Sequence, residues 1–150
     1  MSAVKKSVVM PYSSKLIYDL VNDVSLYPEF VDWCVEGREI SRSEDAVVAE
    51  LVFEFHGVSY AFSTRNQLSP HDRIDVSLID GPFKHLQGHW LFENLNEDWC
   101  RVTLELEFEF KFVGLNMIFE PIFTSMANHW VESFCKRAGV VNDRSAGGVD

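Results

Sequence analysis

The sequence predicts an α+β domain in which one curved antiparallel sheet wraps around a single long C-terminal helix. Three observations carry this. Across 114–138 the apolar residues Leu115, Phe119, Ile122, Met126, Trp130 and Phe134 recur in steps of three and four, the period of one helix face. Across 36–110 the period changes to two, with turn residues between the runs. A sheet that is dry on one face must cover that face, and the last helix is the one element long enough to do so.

Taken in order, Val4 to Met10 is a strand stopped by Pro11, and Lys5 and Lys6 suit a sheet edge. Ser13 or Ser14 caps a helix with Leu16, Ile17, Leu20 and Val21 on one side. Pro28 suits the first turn of a short second helix. Glu36 to Ser43 is a strand of mixed polarity. Ala49, Leu51, Phe53 and Phe55 then alternate with polar residues, Gly57 turns the chain, and Val58, Tyr60 and Phe62 lead a strand on through Asn66 to Leu68. Ile74, Val76 and Leu78 form the next row, Asp80-Gly81-Pro82 turns, and Leu86, Gly88, Trp90 and Phe92 follow. The clearest strand sets Leu104, Leu106, Phe108 and Phe110 against Glu105, Glu107 and Glu109, one face dry and one wet. In the long helix Ile118, Phe123, Ala127, Val131, Cys135 and Ala138 widen the apolar face. Pro121 starts or kinks the helix near Glu120, and Lys136, Arg137 and Gly139 end it. Residues 1–141 thus form one domain and 142–150 a flexible tail.

The 150 residues are 47% hydrophobic, enough for a sizeable core, and include 12 Phe, four Trp and four Tyr. Such aromatics either fill a core or wall a wide apolar cavity. A net charge of −10 argues against a broad phosphate-binding surface, so no DNA partner is expected. Three cysteines (Cys34, Cys100, Cys135) without CxxC spacing read as free thiols in a reducing compartment, hence a cytoplasmic protein. No apolar run is long enough to span a bilayer as a helix.

Candidate chemistry is sparse. His85 and His89 would share a helix face, but in a strand they lie about 13 Å apart, too far for one metal. Gly57-Val58-Ser59-Tyr60-Ala61 resembles a nucleophile elbow without its last glycine, and it sits in a hairpin. Glu105, Glu107 and Glu109 point away from the apolar row. No catalytic residue, metal or cofactor is therefore expected. Arg38, Arg65 and Asn66 are either ordinary strand residues or a polar spot facing a cavity, and a one-residue slip in register reverses the answer. The Pro-marked corners Tyr27-Pro28-Glu29-Phe30 and Asp80-Gly81-Pro82-Phe83 are either hydrophobic plugs at the ends of the sheet or a movable rim.

Three stretches carry a resemblance: LVNDVSLYPEFVDWC (Leu20 to Cys34), TRNQL (Thr64 to Leu68) and LIDGPFKHLQGHWLF (Leu78 to Phe92). Together with the final helix they resemble the ribosome-association toxin RatA and coenzyme Q-binding protein family. That family belongs to the START-like (helix-grip) fold of the polyketide cyclase/dehydrase-like superfamily. The resemblance spans roughly residues 4 to 140. It implies about seven strands, two short helices after the first strand, and a deep apolar tunnel between sheet and long helix. It also implies two roles. One is non-enzymatic binding of a polyprenylated quinone (ubiquinone) or similar lipid, supporting respiration or ubiquinone biosynthesis. The other is that of a toxin, in a toxin–antitoxin sense, that binds the large ribosomal subunit and blocks subunit association. A cyclase or dehydratase is a third reading. For a lipid, the expected walls are Phe30, Trp33, Phe53, Phe55, Tyr60, Phe62, Asn66, Phe83, Trp90, Phe108, Phe119, Phe123, Met126 and Trp130, with the Trp130 ring against Phe108 or Trp90. Such a ligand also implies transient contact with the inner face of the membrane. For a ribosome, the expected contact is a local basic patch of Arg42, Arg65, Lys136 and Arg137.

Overall fold

A computed structural model describes residues 2–149 except His56. The side chains of Phe55, Val58 and 143–149 lie outside the described set. The chain runs β1 (Ser2–Met10), α1 (Ser14–Asn22), a 3-10 turn (Val24–Glu29), β2 (Cys34–Arg42), β3 (Ala46–Phe55), β4 (Val58–Ser69), β5 (Arg73–Asp80), β6 (Phe83–Asn94), β7 (Cys100–Phe110) and α2 (Val113–Val149). The seven strands form one antiparallel sheet in the order β1-β7-β6-β5-β4-β3-β2. The meander from β2 to β7 accounts for six strands. β1 crosses to pair with β7 and becomes an edge, as its lysines predict.

The period-two rows fix which face is dry. On β7, Val102, Leu104, Leu106, Phe108 and Phe110 are buried while Glu107 is exposed. Glu105 meets Lys5 at 3.3 Å and Glu109 meets Lys84 at 3.7 Å. Two of the three outward carboxylates are thus offset by lysines on neighbouring strands, which lowers their mutual repulsion. In β4 the register sends Asn66 inward and leaves Arg65 exposed on the outer face. Arg38 is likewise outside, 2.5 Å from Glu50 and 3.2 Å from Glu36. Neither arginine faces the interior.

α1 begins at Ser13, whose hydroxyl accepts the Leu16 N–H at 3.3 Å. Pro28 sits near the end of the 3-10 turn rather than in its first turn. The turn lies against β2 because Gly37 has no Cβ: one added there would come 2.0 Å from the Val24 carbonyl oxygen.

α2 covers the dry face, and its buried row is Phe123, Met126, Ala127, Val131, Phe134 and Ala138. This row is rotated from the one the spacing suggested. Leu115, Phe119, Ile122 and Trp130 are only partly buried, and Ile118 is exposed. The helix also starts before Pro121 and continues beyond Gly139 to Val149, about 55 Å at 1.5 Å per residue. Gly139 does not end it. A Cβ there would lie 2.9 Å from the Tyr12 hydroxyl, so this glycine permits a close approach to Tyr12.

Candidate functional site: a divided aromatic interior

Between sheet and α2 lie two small cavities. The larger, about 60 Å³, is roofed by Val24, Tyr27 and Val31. The sheet walls it with Ala49, Leu51, Phe53, Phe62, Thr64, Asn66, Val76, Leu86, Trp90, Leu104 and Leu106, and α2 with Phe123, Trp130 and Phe134. The smaller, about 40 Å³, lies towards the start of α2 and is lined by Phe53, Tyr60, Phe62, Pro82, Phe83, Phe110, Phe119, Ile122, Phe123 and Met126. Phe53, Phe62 and Phe123 line both. These three rings are a partition: Phe53 stacks on Phe62 with centroids 5.8 Å apart, and Phe62 meets Phe123 edge-on at 6.4 Å. Trp130 completes it, 5.7 Å from both Phe53 and Phe123. The rings it pairs with are therefore Phe53 and Phe123 rather than the expected Phe108 or Trp90. Phe108 packs against Phe83, Phe110 and Phe123.

The larger cavity has a polar side. The Thr64 hydroxyl donates to Asn66 Oδ1 at 2.9 Å. The indole Nε1 of Trp130 is buried with no hydrogen-bond partner among the described residues. An unmet buried donor costs about 1–3 kcal/mol, which an acceptor placed in the cavity would recover. The lining residues of both cavities include no carboxylate, imidazole, ammonium, guanidinium or thiol. The Tyr27 phenol donates to the Val21 carbonyl, and burial drives its pKa far up. Burial also pushes the Cys34 and Cys100 thiols up to about 11, so both stay protonated at neutral pH.

The roof is fastened to α2 from outside. Arg137 Nη2 meets Glu29 Oε1 at 3.0 Å, and its guanidinium carbon lies 5.2 Å from the Phe30 ring centroid. Phe134 holds Tyr27 and Phe30 edge-on, both at 5.2 Å.

Of the residues expected to wall a lipid site, Phe53, Phe62, Asn66, Trp90, Phe123 and Trp130 line the larger cavity, and Tyr60, Phe83, Phe119 and Met126 the smaller. Phe30, Trp33 and Phe108 line neither: Phe30 belongs to the roof fastening, Trp33 is 38% exposed, and Phe108 is close-packed core. The side chain of Phe55 lies outside the described residues. At the two Pro-marked corners Tyr27 and Phe83 are buried in the core, while Pro28, Glu29 and Asp80 are exposed. The cavity walls also include Tyr27, Thr64, Leu104, Leu106, Phe110 and Phe134, which the expected set lacks. Leu104, Leu106 and Phe134 sit on rows that the periodicity marks as inward.

The expected basic patch is not assembled. Arg42 pairs with Glu39 and Arg137 with Glu29, while Arg65 opens onto an outer-face groove of about 720 Å³. In that groove Lys5 and His89 both meet Glu105, at 3.3 and 2.8 Å, and Arg73 meets Asp75 at 2.8 Å. His85 and His89 stand opposite Glu109 and Glu105, and no metal-binding cluster occurs among the described residues. No helix among them is long and apolar enough to cross a membrane.

Comparison with known proteins agrees with this architecture. Residues 10–135 match the family model described as polyketide cyclase / dehydrase and lipid transport. The chain is 39% identical over 135 residues to the ribosome association toxin RatA of Pseudomonas aeruginosa, covering 90% of this chain and 94% of that protein. It is 28% identical over 143 residues to the mitochondrial coenzyme Q-binding protein COQ10 homolog B of Xenopus laevis, covering 93% of this chain and 59% of that one. Among solved structures, a START superfamily protein from Mycobacterium smegmatis superposes with a TM-score of 0.73 at 21% identity, over 94% of this chain and 97% of that one. An aromatase/cyclase from a Streptomyces species superposes with a TM-score of 0.82 at 15% identity, over 92% of this chain and 93% of that one, a likeness of fold alone. The chain therefore belongs to the START-like polyketide cyclase / dehydrase and lipid transport family, alongside its RatA-named relatives.

Proposed function

We propose that this protein acts without catalysis in the cytoplasm, by binding the large ribosomal subunit and hindering subunit association. The observation that carries this reading is the near-full-length similarity, at 39% identity, to a protein named ribosome association toxin. The interior agrees: cavities of about 60 and 40 Å³ fall well below the roughly 300–1,000 Å³ of pockets that enclose drug-sized ligands. A contact surface, rather than a filled tunnel, is then what such a protein offers in this state. The decisive experiment adds the purified chain to purified ribosomal subunits and resolves the mixture on a sucrose gradient. The expected result is loss of whole ribosomes and growth of the free-subunit peaks. An unchanged profile at excess protein overturns the reading.

Quinone or lipid binding, the first expectation from sequence, takes second place. The unpartnered N–H of Trp130, a residue that lines the same cavity as Thr64 and Asn66, favours it, since a carbonyl of a prenyl quinone could accept that hydrogen bond. It requires the Phe53–Phe62–Phe123 partition to swing so that the two cavities merge. Solvent extraction of the purified protein followed by mass spectrometry tests it. A protein that neither retains nor takes up a prenyl quinone eliminates this second reading. A cyclase or dehydratase has the weakest support, because neither cavity lining offers an acid or base beyond high-pKa phenols.

A further inference from the structure

The start of α2 exposes more contiguous apolar surface than any other described segment. Phe112, Val113, Met117 and Ile118 are 67%, 77%, 76% and 61% exposed. They form the outward side of a turn whose inward side, Leu115, Phe119 and Ile122, packs against the core. The turn is held rigidly. Asn116 accepts the Phe110 N–H with Oδ1 at 3.0 Å and donates to the Phe110 carbonyl with Nδ2 at 3.3 Å. These side chains are therefore presented to solvent by a fixed scaffold.

Two lysines stand beside them. The Lys111 N–H donates to the Pro82 carbonyl at 2.9 Å, and Phe83 pairs with Phe110, which brings Lys84 and Lys111 to the same end of the sheet. Both are exposed. Lys84 reaches only a loose 3.7 Å contact with Glu109, and Lys111 has no ion pair among the described residues. On a chain of net charge −10 these are two exposed cations next to an apolar tip, with Asp80 and Glu109 as the acidic groups at the same end of the sheet. Pro82 also lines the smaller cavity, so the tip adjoins the apolar interior.

We propose that this tip docks on an anionic lipid bilayer, with Phe112, Val113, Met117 and Ile118 entering the interfacial layer while Lys111 and Lys84 meet lipid phosphates. Apolar side chains give depth and nearby cations give preference for anionic lipid, the combination that peripheral attachment uses. The acidic remainder of the chain is repelled by the same surface, which orients the molecule tip-down. This inference is independent of the ribosome reading.

The test is flotation of the full chain with phosphatidylcholine–phosphatidylglycerol vesicles and, in parallel, with phosphatidylcholine alone. Binding is expected to the anionic vesicles, and Val113→Ser/Met117→Ser should lower the partition coefficient at least about tenfold. Lys84→Glu/Lys111→Glu should erase the difference between the two vesicle types. All four positions are exposed, so the urea midpoint should stay unchanged and confirm folding. No flotation of the unaltered chain, or flotation indifferent to both double variants, overturns the proposal. So does self-association through the tip, seen as a concentration-dependent dimer that Val113→Ser/Met117→Ser dissolves in the absence of vesicle binding.

Discussion

Two stretches of the long helix treat apolar surface in opposite ways. Past its middle, Phe134 is buried among Tyr27, Phe30 and Trp90, and Arg137 ties the roof down over them. At its N-terminal start, Phe112, Val113, Met117 and Ile118 stand in water. The helix is the same kind of element in both stretches; what differs is the partner each stretch receives. The 3-10 turn covers the first, and nothing among the described residues covers the second. One end of the interior is therefore sealed by packing, and the other presents surface. The aromatic partition between the cavities lies between these two regimes.

The largest effect that would break this contrast is expected at the sealed end. Phe134→Ala removes ring contacts to Tyr27, Phe30 and Trp90 and opens the larger cavity, and should cost about 3–5 kcal/mol in a urea titration. Met117→Ser at the other end should move stability by less than about 0.5 kcal/mol. Comparable losses at both ends would show that the exposed tip is structural core in solution.

The buried thiols sharpen the same point through pH. Cys34 and Cys100 have pKa values raised from 9.0 to about 11, by burial first. A group whose folded pKa is raised contributes stability that is present below its unfolded pKa and is lost as pH climbs through the folded one. The window is therefore pH 9 to 11, and the loss should be on the order of 2 kcal/mol for each thiol. Urea midpoints measured across that window should fall for the unaltered chain and fall less for Cys34→Ala/Cys100→Ala. A parallel decline in both would assign the alkaline loss to other groups.

At the partition the effect is smaller and its sign depends on the substitution. Trp130→Ala removes a half-buried ring beside space that already exists, so about 1–2 kcal/mol is expected rather than the full cost of a core truncation. Trp130→Phe keeps a ring on Phe53 but deletes the unpartnered N–H, and should be neutral or slightly stabilising. A clear loss with Trp130→Phe would mean that the indole N–H has an acceptor in solution.

These contrasts separate what the sequence makes legible from what it does not. The strand rows were readable because alternation is local: Leu104 to Phe110 declares its dry face within seven positions. The meander and the edge position of β1 followed, but the choice of β7 over β2 as the partner of β1 did not, since a meander offers two free edges. Long-range complementarity was not readable. Gly139 reads as a helix end until Tyr12, distant in sequence, is seen against it. Arg137 reads as a surface cation until Glu29 and Phe30 arrive from the 3-10 turn. The small size of the interior was also hidden, because an aromatic-rich inner row is compatible with either a tunnel or a partition. Which one forms depends on rotamers of Phe53, Phe62 and Phe123 that no periodicity encodes.

The smallest effect concerns the fastening itself. Arg137→Met keeps most of the aliphatic stem but loses the ion pair with Glu29 and the contact over Phe30. Glu29 is 53% exposed, so solvent screens the pair, and the substitution also deletes a buried Nε that has no partner. Global stability should thus change by about 1 kcal/mol or less. The local consequence should be plainer. The roof is closed by the Val31 N–H donating to the Tyr27 carbonyl at 2.8 Å, and opening of the roof exposes that amide. Its hydrogen exchange should quicken by about five- to tenfold in Arg137→Met if the fastening contributes roughly 1 kcal/mol to closure. Met117→Ser should leave that amide untouched, because the other end of the helix holds no part of the roof. If Arg137→Met also leaves it untouched, ring packing of Tyr27 and Phe30 on Phe134 alone closes the roof, and the guanidinium is a bystander.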